Sequence, residues 1–229
     1  SYVSYANLSG DILRPIHKGV ELPSESAVEK HKRCVEAYDD EEQDKLKSVL
    51  RRGDHPAYSM ALFMMETGMR VGEAMALTWH DVDWNRRAIR VSKTVVAAIN
   101  RKQAFVQQSP KSYASNRTIP LNQTALMLLQ DIHARGDNTA DDYIFHDKRG
   151  NFLSYESVRW QIGKACRDAD VPYHGQHVFR HTFATNCYHR GCDVKVLSKL
   201  LGHSDVSTTY NTYIHLYGDA LEEMRAVLE

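Results

Sequence analysis

Two arginines, two histidines and one tyrosine stand in this chain at spacings that suit chemistry on a phosphate. Thr67-Gly68-Met69-Arg70 comes first, His177-Val-Phe-Arg180 follows about a hundred residues later, and Leu201-Gly202-His203 leads on to Tyr213. Guanidinium groups hold charge on non-bridging phosphate oxygens, imidazoles move or share protons, and a phenol can become a covalent nucleophile. Together these are the groups needed to break a phosphodiester without a metal, so no metal and no cofactor is expected.

Around these residues the chain carries longer blocks: Thr-Gly-Met-Arg-x-Gly-Glu, then Pro110-Lys111 ahead of Arg117-Thr-Ile-Pro-Leu, then His-x-x-Arg, then Leu-Gly-His-Ser-Asp-Val-Ser-Thr-Thr. Each block is weak alone, but chance matches would have to coincide in order as well as composition. From about Thr67 to Leu216 the chain resembles the tyrosine recombinases, the phage and transposon integrase family. The ten-residue step from His203 to Tyr213, with the ending Asn211-Thr-Tyr-Ile-His215, is most similar to integrases of conjugative transposons.

The resemblance implies a set of roles. Tyr213 attacks the scissile phosphorus and becomes linked to the 3′ end, while Lys111 protonates the departing 5′ oxygen. The side chains alone leave Tyr210 and Tyr213 as equal neighbours on one helical face, either of which could be core. Family spacing selects Tyr213. Arg70, Arg180 and His203 stabilise the pentacoordinate phosphorane, and Glu73 orients Arg70. A tyrosine hydroxyl titrates near 10, so attack at neutral pH needs a base, and His177 is the candidate. Lys93 and Lys102 are the alternatives to Lys111 as general acid. His181, adjacent to Arg180 in sequence, is expected to pack on another side of the helix.

Other function classes fit parts of the pattern. Type IB topoisomerase-like DNA relaxation uses the same active-site chemistry. The extension from Gly218 to Glu229 points instead to recombination, because in the family a C-terminal segment docks onto a neighbouring protomer. A non-enzymatic DNA-binding module would need neither Tyr213 nor both histidines. The His177/His181 pair has metal-pair spacing, but Val178 stands where zinc proteases keep their glutamate base.

These groups must be positioned by the elements around them, and the pattern predicts an α+β, mainly α-helical domain with a small three-stranded antiparallel sheet. Helices are expected over Asp39 to Arg51, Pro56 to Thr67, Gly72 to Trp79, Asn122 to Ala134, Ser154 to Ala169, Gln176 to His189, Asp193 to Leu201, Asp205 to Leu216 and Ala220 to Leu228. Several begin at an Asn, Ser or Asp cap. Gly68 and Gly202 are read as helix stops that leave Arg70 and His203 at breaks. Ile89 to Val96, Ala104 to Gln108 and Arg117 to Leu121 are rich in β-formers and read as the three strands. The expected domains are 1–36, a remnant of a core-binding domain with its linker; 37–217, the catalytic domain; and 218–229, a terminal helix docking in trans.

Charge distribution supports a nucleic-acid partner better than net charge does. The 29 basic and 29 acidic residues balance over 229 residues. Yet from Asn85 to Pro120 the chain holds Arg86, Arg87, Arg90, Lys93, Arg101, Lys102, Lys111 and Arg117 with no Asp or Glu, whereas a solvated face ordinarily mixes both signs. Arg86, Arg87, Arg90, Lys93, Arg101, Lys102 and Arg117 are therefore expected to contact DNA. The acidic run from Glu36 to Asp44 reads as a solvated face. Expected partners are double-stranded DNA, further copies of the chain assembling on it as a dimer to tetramer, and a directionality factor. No stretch approaches the roughly eighteen apolar residues of a membrane span. Cys34, Cys166, Cys187 and Cys192 form no Cys-x-x-Cys pair, which fits reduced thiols and a cytoplasmic, nucleoid-associated location. Ser1 is no natural start, so the chain reads as part of a longer protein.

Overall fold

The structure, a computed structural model, describes residues 37–96, 104–108, 116–203, 205–207 and 209. The expected segments at 1–36 and 218–229 lie outside the described residues, as do Arg101, Lys102, Lys111, Tyr210 and Tyr213.

The first helix, α1 (Asp40–Arg52), starts where its acidic run predicts. Asp39 caps it by accepting from the Glu42 amide, and Glu42 returns a carboxylate to the Asp39 amide, a reciprocal pair that satisfies two orphan donors. Asp40, Glu41 and Glu42 fill its first turn and Arg51 and Arg52 its last, each sign at the favourable end of the helix dipole.

Helix α2 (Pro56–Thr67) is apolar nearly all round and therefore takes the centre of the domain. Met60, Phe63 and Met64 are fully buried, and Phe63 meets Phe145 with ring centroids 5.7 Å apart. Around α2 pack α1, the short α3 (Val71–Met75), α4 (Gln123–His133), α5 (Tyr155–Asp168) and α6 (Val178–His189). Helix α7 (Val194–Leu201) packs against α6 and begins at Asp193, whose carboxylate accepts from the Lys195 and Val196 amides. Asn122 and Ser154 cap α4 and α5 in the same way. Before α6, Gln176 and His177 stand in a turn, so that helix begins two residues later than expected. The Gly72 to Trp79 segment is likewise broken, into α3 and a 3-10 turn at Trp79–Asp81.

A three-stranded antiparallel sheet is present, but its membership differs from the expected one. Strands β1 (Val82–Asp83), β2 (Ala88–Val91) and β5 (Arg117–Pro120) form it in the order β1-β2-β5, with Ile89 opposite Ile119 and Val91 opposite Arg117. Strands β3 (Lys93–Val96) and β4 (Phe105–Gln108) make a separate two-stranded ribbon, with Val95 opposite Val106. The expected strand from Ile89 to Val96 thus divides at Ser92. Burial gives the reason: Ala88, Ile89 and Val91 are buried, as suits a central strand flanked on both edges, whereas only Val95 is buried in β3. The ribbon lies against α3, the helix that follows Arg70.

Candidate functional site

Arg70 stands at a break that two local features create. Helix α2 ends at Gly68, whose φ of 66° lies in the left-handed region, and the Gly68 amide closes back on the Met64 carbonyl. A side chain at Gly68 would also meet Phe183 at 2.4 Å, so no larger residue fits. Arg70 then precedes α3, where its amide donates to Glu73 Oε2 at 2.9 Å and its Nη1 donates to Oε1 at 2.9 Å.

Helix α7 ends in a second left-handed glycine, Gly202, with φ 70°, and His203 follows directly. The last carbonyls of a helix have no partner within it and carry the negative end of its dipole. Here three successive carbonyls each accept from an arginine. Arg117 Nε donates to Leu200 at 2.7 Å, Arg180 Nη2 to Leu201 at 2.7 Å, and Arg70 Nη2 to Gly202 at 3.3 Å. Arg180, on α6 and only 4% exposed, also donates through Nη1 to the Gly68 carbonyl at 2.9 Å. It therefore ties the stop of α2 to the stop of α7. Arg70 keeps its side chain 39% exposed, the most open of the three guanidinium groups in ion pairs or carbonyl bonds here.

Glu73 sits beneath this cluster and is buried. Arg117 grips it with Nη1 on Oε1 at 3.0 Å and Nη2 on Oε2 at 2.7 Å. Burial alone would raise the Glu73 carboxyl, but the Arg117 and Arg70 guanidinium groups and the Arg70 amide outweigh it and hold the group at about 2. Three guanidinium groups around one carboxylate leave the cluster with net positive charge.

His203 is half-buried, and its Nδ1 lies 2.6 Å from the Thr209 hydroxyl. Burial, then the cations of Arg180, Arg70 and Arg117, then His181, push its ring down to about 4. The ring is accordingly held in its neutral form, one nitrogen carrying the proton and the other able to accept. His181 is half-buried too. Desolvation, His177 and Arg180 lower it to about 4. His177 is exposed at the start of α6, with its carbonyl accepting from the His181 amide at 3.1 Å.

The fold therefore brings Arg70, Glu73, Arg180 and His203 together and places His177 at the near end of the helix carrying Arg180. Two of the residues expected to contact DNA have their nitrogens engaged within the protein. Arg117 is 6% exposed at its side chain because Glu73 and Leu200 occupy all its nitrogens, and Lys93 is 16% exposed, its Nζ 2.9 Å from Asp81 and 2.8 Å from Thr78 Oγ1. Arg86, Arg87 and Arg90 remain exposed, Arg86 and Arg87 in the turn between β1 and β2. Sequence reasoning missed the internal role of Arg117 and the contact of Thr209 with His203. The signal for Arg117 was Glu73 itself, a carboxylate between buried residues that needed more than one cation.

Comparisons with known proteins bear on the family and the fold. The tyrosine recombinase XerC-like protein of Caldanaerobacter subterraneus subsp. tengcongensis is 32% identical over 200 residues, covering 80% of this chain and 51% of that protein. The ICEBs1 integrase of Bacillus subtilis is 31% identical over 176 residues, covering 71% of this chain and 46% of that protein. The chain thus spans about half the length of these curated relatives. Among solved structures, the Tn1549 transposon integrase in complex with transposon right end DNA shares the fold with a TM-score of 0.76 at 20% identity, over 99% of this chain and 76% of that one. XerA recombinase shares it with a TM-score of 0.66 at 23% identity, over 99% and 74%. Residues 36–219 match the phage integrase family, a span that includes every site residue named above, and the chain belongs to that family.

Proposed function

We propose that this chain is the catalytic part of a site-specific DNA recombinase that cuts and rejoins strands through a 3′-phosphotyrosine on Tyr213. The observation that carries the reading is the convergence of Arg70 and Arg180 on the Leu201-Gly202 turn, directly before His203. That turn gathers two phosphate-binding cations and a neutral imidazole donor around one point. Donors placed in advance for a developing phosphorane charge lower the barrier without reorganising as the reaction proceeds. Arg70, Arg180 and His203 take that role, His177 accepts the phenol proton, Lys111 supplies the leaving-group proton, and Glu73 orients Arg70. The energy of the broken phosphodiester stays in the phosphotyrosine, so a 5′ hydroxyl from another strand can reseal it without ATP.

Double-stranded DNA is the substrate, with the exposed Arg86, Arg87 and Arg90, together with Arg101 and Lys102, contacting its phosphates. The relatives named above are integrases and recombinases, and the Tn1549 integrase was solved on DNA, which supports integration and excision of a mobile element over simple relaxation. Assembly on DNA as a dimer to tetramer, with residues 218–229 docking onto a neighbour, and a directionality factor complete the reading. No helix among the described residues is long and apolar enough to cross a membrane, consistent with action on cytoplasmic DNA.

The test is a suicide substrate whose nick releases a short 5′ fragment and traps the covalent complex on a denaturing gel. The wild-type chain should form the adduct, and Tyr213→Phe should bind the same duplex without forming it. An adduct that survives Tyr213→Phe, or that disappears with Tyr210→Phe instead, overturns the assignment.

A further inference from the structure

We infer that Arg117 is a positioning residue for strand transfer, locking Arg70 and the Leu200–His203 turn into one frame through Glu73 and the Leu200 carbonyl. The inference rests on the proposed transfer reaction for its catalytic consequence, but its geometry stands apart from it. Arg117 opens β5, opposite Val91, so the three-stranded sheet fixes its backbone. From there it reaches two different elements. Both terminal nitrogens meet the two oxygens of Glu73, and Nε meets the carbonyl of Leu200. Its side chain is 6% exposed, and each of its three nitrogens donates a hydrogen bond inside the protein.

A fork of this shape fixes angle as well as distance. Glu73 is held in one orientation, and its second set of contacts is to Arg70, through both the guanidinium and the amide. The same fork steadies the last turn of α7, one residue before the carbonyl that Arg180 takes and three before His203. Arg117 also leaves the Arg70 charge available to substrate. Without it the buried Glu73 carboxylate would be balanced by Arg70 alone, and the cation presented to a phosphate would be neutralised from behind. Lysine cannot replace the fork, because its single ammonium cannot span both carboxylate oxygens and Leu200.

The test uses the full chain and three variants: Arg117→Lys, Arg117→Met and Glu73→Gln, with the Arg117→Met/Glu73→Gln double variant. One measurement needs no DNA. The His203 ring is faced by Arg180, Arg70, Arg117 and His181, and its titration is followed by NMR. Arg117→Met should raise its pKa, because one of the cations that oppose its protonation is gone, whereas Arg117→Lys should raise it less. In single-turnover cleavage, Arg117→Met should lower the rate on the order of 100-fold with little change in DNA affinity, the cost of a misplaced catalytic group. Arg117→Lys should recover only part of that loss. The double variant should be no slower than Arg117→Met, since both changes break one relay.

Reduced DNA affinity with an intact cleavage rate, and a salt dependence shallower by about one counterion, would mean that Arg117 contacts phosphate and would overturn the inference. So would an unmoved His203 titration, or full recovery by lysine. If Arg117→Met does not fold, the Arg117→Lys titration and rate decide the matter. If the wild-type chain forms no adduct at all, the transfer reading fails while the His203 titration still reports whether Arg117 frames the turn.

Discussion

Arg180 donates to the Leu201 carbonyl at 2.7 Å while its other terminal nitrogen holds the Gly68 carbonyl at 2.9 Å, so one side chain on α6 joins the ends of two other helices. Its guanidinium is buried between those stops. A buried cation that bonds to carbonyls keeps its charge and its place, which is what a group stabilising a phosphorane needs.

Cleavage should persist in excess EDTA. In the proposed reaction Arg70, Lys111 and Arg180 supply the charge that a metal would otherwise bring to the phosphorane. Adduct formation by the suicide substrate, measured with and without chelator, checks this; a reaction that stops with EDTA and returns with Mg²⁺ or Mn²⁺ contradicts it.

Lys111 and Arg180 should separate by leaving group. A 5′-bridging phosphorothiolate departs as a thiolate and needs little protonation, so Lys111→Ala should be largely rescued on it. Arg180→Ala should lose about 3 kcal/mol of transition-state stabilisation, roughly a hundredfold in rate, on either substrate. Equal rescue of both variants removes Lys111 as the acid.

Stability should fall with acid in two stages. Folding lowers the His203 and His181 rings from 6.5 to about 4. Between those values the unfolded chain binds protons that the folded chain refuses, so stability is undiminished above 6.5 and is lost as pH falls toward 4. Glu73, lowered from 4.5 to about 2, adds a second loss over that lower range. Thermal melts from pH 8 to pH 3 should show both. His203→Gln and His181→Gln should each flatten the upper stage, and Glu73→Gln should leave that stage unchanged.

Gly68→Ala should destabilise the fold by about 2 kcal/mol or more, because a β-carbon adds left-handed strain and crowds a packed ring. The Phe183 ring stands 2.4 Å from where that carbon would be. Denaturant unfolding measures it, and a change within about 0.5 kcal/mol, ordinary for an inert surface site, would refute the packing argument.

Most helix ends among the described residues were readable because their causes are local. Asp39, Asn122, Ser154 and Asp193 each cap the helix that follows, and Gly68 and Gly202 each end one with a left-handed residue. The sheet was less readable. Nothing within Ile89 to Val96 reveals that its first half pairs with Arg117–Pro120 and its second with Phe105–Gln108, since pairing depends on partners elsewhere in the chain. Partners of the basic stretch were hidden for a related reason. It contains no acidic residue, yet Lys93 finds Asp81 and Arg117 finds Glu73, 44 positions away. A count of charges along the chain does not distinguish a cation awaiting a phosphate from one already paired.

The three arginines on the end of α7 reach it across 132, 83 and 21 positions of sequence. Contacts so distant in the chain cost loop-closure entropy, so the cluster exists only where the fold has brought these segments together. A nascent or locally opened chain would hold all the reactive residues yet lack the assembled charge to use them. Under the proposed strand-transfer reaction, cutting competence coincides with completion of the fold, a safeguard that requires no inhibitor.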